Sequence, residues 1–260
     1  MEISFLVSTD TIVIVSVQFI LMMFFIYLGI KVSLFRKVSR DSEESNSIVI
    51  TGIYTVTGLL LAFSFGMSGS RFDSRKKDIV EEANNIGTAI LRSDMYPDSI
   101  RSLFREDFRN YLEARILYFE AREDINMIKK SIAMSDEYAD KLWKRATELS
   151  KNSQYLVVSN QMIPALNAVF DIANTRMRGE LYKLPDELIY MLLLSLIIGA
   201  FIYGYTSQAK GKVDWFIAIC FCLVSIFIIF FILDMDRPRR GLINLDDSHK
   251  AITDIRKMFQ

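Results

Sequence analysis

The chain has 260 residues, 51% of them hydrophobic and 24% charged, with basic and acidic residues cancelling to a formal net charge of zero. Mean hydropathy is +0.24, and the apolar share lies above the roughly 45–50% usual in soluble proteins. Balanced charge gives no bulk signal for nucleic acid or an acidic substrate, while one histidine and two cysteines are too few for the usual zinc sites, so no metal or cofactor is expected.

Four stretches are free of Asp, Glu, Lys and Arg: Ile12–Ile30, Ile48–Met67, Leu188–Thr206 and Phe216–Leu233. Each approaches the ~20 helical residues that cross a bilayer core. A helix apolar on every face has no side to offer water. The expectation is an all-α membrane protein with four transmembrane helices. A first helix pair occupies 1–70, a helical cytoplasmic domain 71–184, a second pair 185–234 and a cytoplasmic C-terminal tail 235–260. So short a four-pass chain encloses little by itself, which predicts oligomerisation.

The first span is not expected to be a cleavable signal. Glu2 and Asp10 stand where a basic region would be, and Lys31-Val-Ser-Leu-Phe is no small-residue cleavage site.

The second span carries Gly52, Gly58, Ala62, Gly66 and Gly69, small residues that let membrane helices approach closely. Hydroxyls at Thr55, Thr57, Ser64, Ser68 and Ser70 can face water or bond to neighbouring helices. Val56, Leu59 (or Leu60) and Phe63 fall on one stripe at three- and four-residue steps. Two readings fit: a pore-lining helix with an apolar neck that gates by dewetting, or a packed helix whose stripe faces other helices. Arg71-Phe-Asp73-Ser-Arg75 begins where the helix leaves the membrane. Arg71 and Arg75 share a face and Asp73 does not. In a symmetric oligomer these charges form rings at a pore mouth; otherwise the arginines are juxtamembrane topology determinants.

No charged residue occurs between Ser45 and Ser70, so the second span is expected to continue without a loop into the middle segment. There Glu81, Asn84 and Asn85 give a polar helix face, suited to a cation, a subunit contact or plain solvation. Helical spacing runs through Ile79, Ala83, Ile86 and Ile90, then Phe104, Phe108, Tyr111 and Leu112, then Tyr138, Leu142 and Leu149. Tyr96-Pro97-Asp98 predicts a break, Ser135 a helix N-cap, and Pro164 a kink or interruption within Leu156–Met177. Leu184-Pro185-Asp186 feeds the third span. Cys220 and Cys222 lie mid-span in the fourth and read as small hydrophobes.

After the fourth span, Asp234 and Asp236 are answered by Arg237, Arg239 and Arg240, with Pro238 and Gly241 turning the chain. Such an end suits docking on the helical segment. Asp246 and Asp247 fall short of the six to eight oxygens calcium takes. His249, in this polar stretch, is expected to be solvated. Ser–His or Cys–His catalysis would rest on it alone, so no enzyme is expected.

Gly58–Arg75, Val80–Thr88 and Asp234-Met-Asp-Arg-Pro-Arg-Arg-Gly241 resemble the bestrophin-like family of prokaryotic four-pass membrane proteins. A more distant similarity reaches the bestrophins, which carry an Arg-aromatic-aromatic signature after a pore-lining second helix. Here Asp73 replaces the second aromatic. Asp236-Arg-Pro-Arg-Arg-Gly stands where bestrophins have Asn-Pro-Phe-Gly, and the acidic run of the animal calcium clasp is missing. The resemblance implies a homopentamer around the second helix, with Val56, Leu59 and Phe63 as the neck. It implies a channel for small monovalent ions, anions slightly favoured, with its own copies, membrane lipid and permeant ions as partners. The rival reading is a non-conducting membrane sensor or scaffold whose helical domain binds a partner.

Lysines and arginines near the span ends set orientation. Arg71, Arg75, Lys76, Lys77, Arg176, Arg178, Lys183, Arg237, Arg239 and Arg240 outnumber Lys31, Arg36, Lys37, Arg40, Lys210 and Lys212. This puts both termini and the middle segment in the cytoplasm, across a bacterial inner membrane.

Overall fold

The computed structural model describes residues 9–36, 40–209 and 213–260, with side chains at 40–46 and 209 left aside. Lys37, Lys210, Lys212 and the Arg40 side chain, counted above for orientation, therefore lie outside the described residues, as does Glu2. The described residues form helices α1 (Thr11–Arg36), α2 (Arg40–Ser93), α3 (Asp98–Glu120), α4 (Ile125–Ser150), α5 (Leu156–Leu181), α6 (Asp186–Ala209), α7 (Trp215–Met235) and α8 (Asp246–Thr253). A 3₁₀ helix, Asp254–Phe259, follows. No strand occurs among them. Four helical stretches are long and apolar enough to cross a membrane.

The α2 helix is one unbroken run of 54 residues, as the loop-free exit of the second span predicts. It stops at Ser93 ahead of Pro97, and α3 starts at Asp98. Between α3 and α4 the chain turns at Arg122, whose φ of 46° is left-handed. Asp124 then caps α4 by accepting from the Asn126 and Met127 amides at 2.9 and 3.1 Å. Ser135 is thus not a cap. It sits buried inside α4 and donates to the Ile132 carbonyl at 2.9 Å. Asp124 already satisfies the orphan amides eleven residues earlier, and nothing breaks the helix between them. Pro164 does not interrupt α5 either; it removes one donor from a helix whose remaining ladder persists.

Contacts divide the chain into two compact units, Met1–Arg71 with Lys183–Arg237, and Phe72–Tyr182 with Pro238–Gln260. The first unit packs Met22, Ile26, Leu192, Leu196, Ala200 and Ile229 into its core. Its closest approach is between α1 and α6. A Cβ on Gly29 would fall on the Phe201 carbonyl, and one on Gly204 on the Ile26 carbonyl. Glycine is required at both because the backbones nearly touch. The Gln18 Nε2 donates to the Leu193 carbonyl at 2.9 Å and the Tyr54 hydroxyl to the Gly199 carbonyl at 2.8 Å. Each satisfies a polar group among apolar neighbours. Of the two cysteines, Cys222 is buried and Cys220 exposed.

The second unit buries the periodic positions of the middle segment. Ile79, Ile86, Ile90, Phe104, Phe108, Leu112 and Leu142 are each at most 1% exposed. The C-terminal stretch joins the same core through Leu245, Ile252 and Ile255. Gly241, at φ 117°, makes the reversal that brings it there, a conformation open to glycine and strained for other residues. His249 is not solvated. It is 5% exposed, and its ring stacks on Phe119 at 3.8 Å between centroids. The reason is register: His249 and Ile252 stand three apart on α8 and share its packed face.

Candidate functional site

The second span has two contrasting faces. Thr57, Leu61, Ser64 and Ser68 are buried against the first unit, at steps of four, three and four. The opposite face carries Val56, Leu59 and Phe63, which are 56%, 53% and 62% exposed. Gly52, Gly58, Gly66 and Gly69 have nothing within 4 Å of where a Cβ would stand. The small residues of this span therefore do not serve packing within the chain; that role falls to Gly29 and Gly204. Of the span's hydroxyls, Thr57, Ser64 and Ser68 turn inward, while Thr55 is exposed and bonds back to the Thr51 carbonyl at 2.8 Å. The result is a helix held on its hydroxyl-bearing side, with an open apolar stripe.

At the helix exit the charges separate. Arg71 Nε donates to Asp236 Oδ1 at 3.0 Å, and the other oxygen of Asp236 accepts from the Leu184 amide at 2.6 Å. Asp236, 5% exposed, thus ties the exit of α2, the entry to α6 and the end of α7 at one carboxylate. Arg237 Nη1 donates to the Thr9 carbonyl at 2.8 Å. Asp234 and Pro238 are buried.

In the second unit Arg75 is 4% exposed. Its guanidinium donates to the carbonyls of Gly179 (3.3 Å) and Tyr182 (2.6 Å) at the end of α5. A cation there satisfies orphan carbonyls and the negative end of the helix dipole. Asp73 is exposed. Of the predicted polar face, Glu81 and Asn84 are exposed, while Asn85 donates to the Ala168 carbonyl at 3.3 Å. Arg239 donates to Glu180 at 2.8 Å and to the carbonyls of Tyr118 and Arg122, both at 3.0 Å. Arg240 approaches Glu123 at 3.5 Å. The arginines after the fourth span thus reach partners distant in sequence.

The most buried charges were not among the expected site residues. Glu82 is fully buried and accepts from Arg115 Nε and, at 2.5 Å, from Arg176 Nη1. Burial pushes its carboxyl upward, but the two guanidiniums outweigh that and hold it at about 2. Both guanidiniums lie over the Tyr118 ring, at 5.0 and 5.9 Å. Burial and the Arg176 charge hold the His249 imidazole down at about 4. The signal for Glu82 was present. It lies three residues from Ile79 and four from Ile86, in step with an apolar face, and a carboxylate buried there requires cations. What spacing could not supply is which of many arginines come to it.

A family model described as a Bestrophin-like domain matches residues 17–249. Comparisons with curated proteins and with solved structures return no match. The match takes in most of the first span, the other three spans, the helical segment between the pairs and the turn at Asp234–Gly241. On that extent and this architecture, the chain belongs to the bestrophin-like family.

Proposed function

We propose that the protein is a homopentameric ion channel of a bacterial inner membrane, with α2 of each copy around a central pore and the helical unit in the cytoplasm. Family membership points to an ion channel. The observation that carries the finer reading is the open stripe of Val56, Leu59 and Phe63, on a helix whose other face is already packed. Five such stripes around an axis make an apolar constriction that holds no stable water column when narrow. Gly52 and Gly66, which fall on the face of the stripe, leave room for close approach of a second copy.

The charges at the exit bear on selectivity. Arg71 and Arg75 are engaged with Asp236 and with backbone carbonyls. Asp73 is exposed, and along α2 it continues the three- and four-residue steps from Phe63 through Gly66 and Ser70. A ring of aspartates concentrates cations. This favours small monovalent cations over the slight anion preference that the resemblance alone suggests. The test is planar-bilayer recording. Phe63→Ala should raise conductance or leak several-fold over wild type. If wild type and variant are equally silent under every ion gradient, the neck assignment fails.

A further inference from the structure

We infer that residues 246–260 form an acid-released strap, latched by His249 and undocked from α3 when its imidazole takes up a proton. This stands apart from the channel reading and does not depend on it.

The strap comprises α8 and the 3₁₀ helix. Its buried contacts are His249, Ile252 (0% exposed) and Ile255 (7%). Its further ties to α3 and the turn after it include Arg256 on Glu113 (2.7 and 2.6 Å), Arg105 on the Met258 carbonyl (2.7 Å), Arg109 on the Phe259 carbonyl (3.0 Å) and over the Phe259 ring (5.5 Å), and Asp246 on Arg122 (2.5 Å). Both ion pairs are more than 40% exposed on each partner, and exposed pairs contribute little. The buried contacts therefore carry most of the docking, and His249 is the titratable one.

Neither ring nitrogen of His249 has a hydrogen-bond partner. An imidazole packed this way is tolerated neutral, by stacking on Phe119, and has nothing to receive a second N–H. The charged groups facing it are Arg176 of α5, Glu82 of α2, Asp246 of α8 and Arg122 in the turn after α3. Glu82 already accepts from two guanidiniums and Asp246 from Arg122. An imidazolium would bring a third cation beside Arg176 and Arg122, with two buried donors and no uncommitted carboxylate. Leaving the core restores water to all of it.

The direction follows from linkage. The docked imidazole binds protons less readily than a free one, so the released state holds more protons wherever the pH lies between the two values. Docking therefore weakens as pH falls from about 6.5 toward about 4. At pH 5 the docking equilibrium should be lower than at pH 7.5 by about 30-fold. That pH stays above the usual range of exposed carboxylates.

The chain has one histidine, so ¹³C-histidine labelling of the full protein in detergent gives one unambiguous imidazole signal. That titration should be paired with hydrogen–deuterium exchange of peptides covering 246–260 at pH 7.5 and 5, corrected for intrinsic rates. We expect the imidazole to stay neutral well below pH 6 and strap protection to fall at least tenfold at pH 5. His249→Phe, which keeps the stack and removes the proton site, should hold its protection. Unchanged protection in wild type, or equal loss in His249→Phe, overturns the strap. So does an imidazole that titrates near 6.5 while the strap is protected. The wild-type titration decides the matter even if the variant does not fold.

Discussion

Among single residues, Glu82 carries the largest electrostatic load. One carboxylate with both oxygens engaged neutralises half of the charge of Arg115 and Arg176, in a site that water does not reach. Removing one member of such a cluster strands the others, typically at a cost of about 3–5 kcal/mol. Glu82→Gln should therefore lower the thermal midpoint in detergent steeply, and a loss under about 1 kcal/mol would mean the arginines find other partners. Because the carboxyl is held at about 2, below its ordinary 4.5, its stabilisation is fully present above pH 4.5. It is lost only as pH falls toward 2. The His249 contribution runs out earlier on the same descent, so the two are separable by pH. Asp73 makes a prediction of a different kind. If it is the open charge at the pore mouth, Asp73→Asn should move the reversal potential in a salt gradient toward anion preference without changing expression. An unmoved reversal potential would take Asp73 out of the pore.

Helix by helix, the first unit depends on where its small residues stand. Gly204 and Gly29 lie where backbone meets backbone, and neither Phe201 nor Ile26 can move its carbonyl aside as a flexible side chain could. Gly204→Ala should force α1 and α6 apart and cost about 1–3 kcal/mol, as overpacking does. Gly58 has open space at the same distance, and alanine is the better helix former by about 1 kcal/mol. Gly58→Ala should therefore leave the thermal midpoint level or raise it. Parallel thermal unfolding of the two variants checks both statements, and equal destabilisation would contradict the assignment. The helical spans, the uninterrupted α2 and the breaks at Tyr96-Pro97 and Leu184-Pro185 were all legible in the sequence, since each is a local property of composition or proline. The false cap at Ser135 was not avoidable by local reading, because Ser135 and Asp124 both have capping side chains and only the helix start chooses between them.

For the whole molecule, the open stripe of α2 leaves an apolar surface that a single chain does not cover. Lipid covers such a surface as readily as a second copy does, so the decisive observable is stoichiometry. Native mass spectrometry of the detergent-purified protein should give five subunits; a monomer or dimer would leave no shared axis and end the pore reading. Orientation has its own check. A cysteine at Asp136, in the helical unit, should resist membrane-impermeant thiol reagents in intact cells and react after lysis.

Sequence by itself determined that this is a four-span helical membrane protein with a helical segment between the pairs. Those properties rest on run length, absence of charge and helical period, which are additive along the chain. It also located the stripe of Val56, Leu59 and Phe63. Only tertiary structure decided that Arg71 belongs to Asp236, that Arg75 is buried on the end of α5, that Glu82 gathers Arg115 and Arg176, and that His249 is packed on Phe119. A charged side chain takes whichever partner the fold brings within about 3 Å, and residues 94 or 165 apart in the chain carry no local mark of such a pairing.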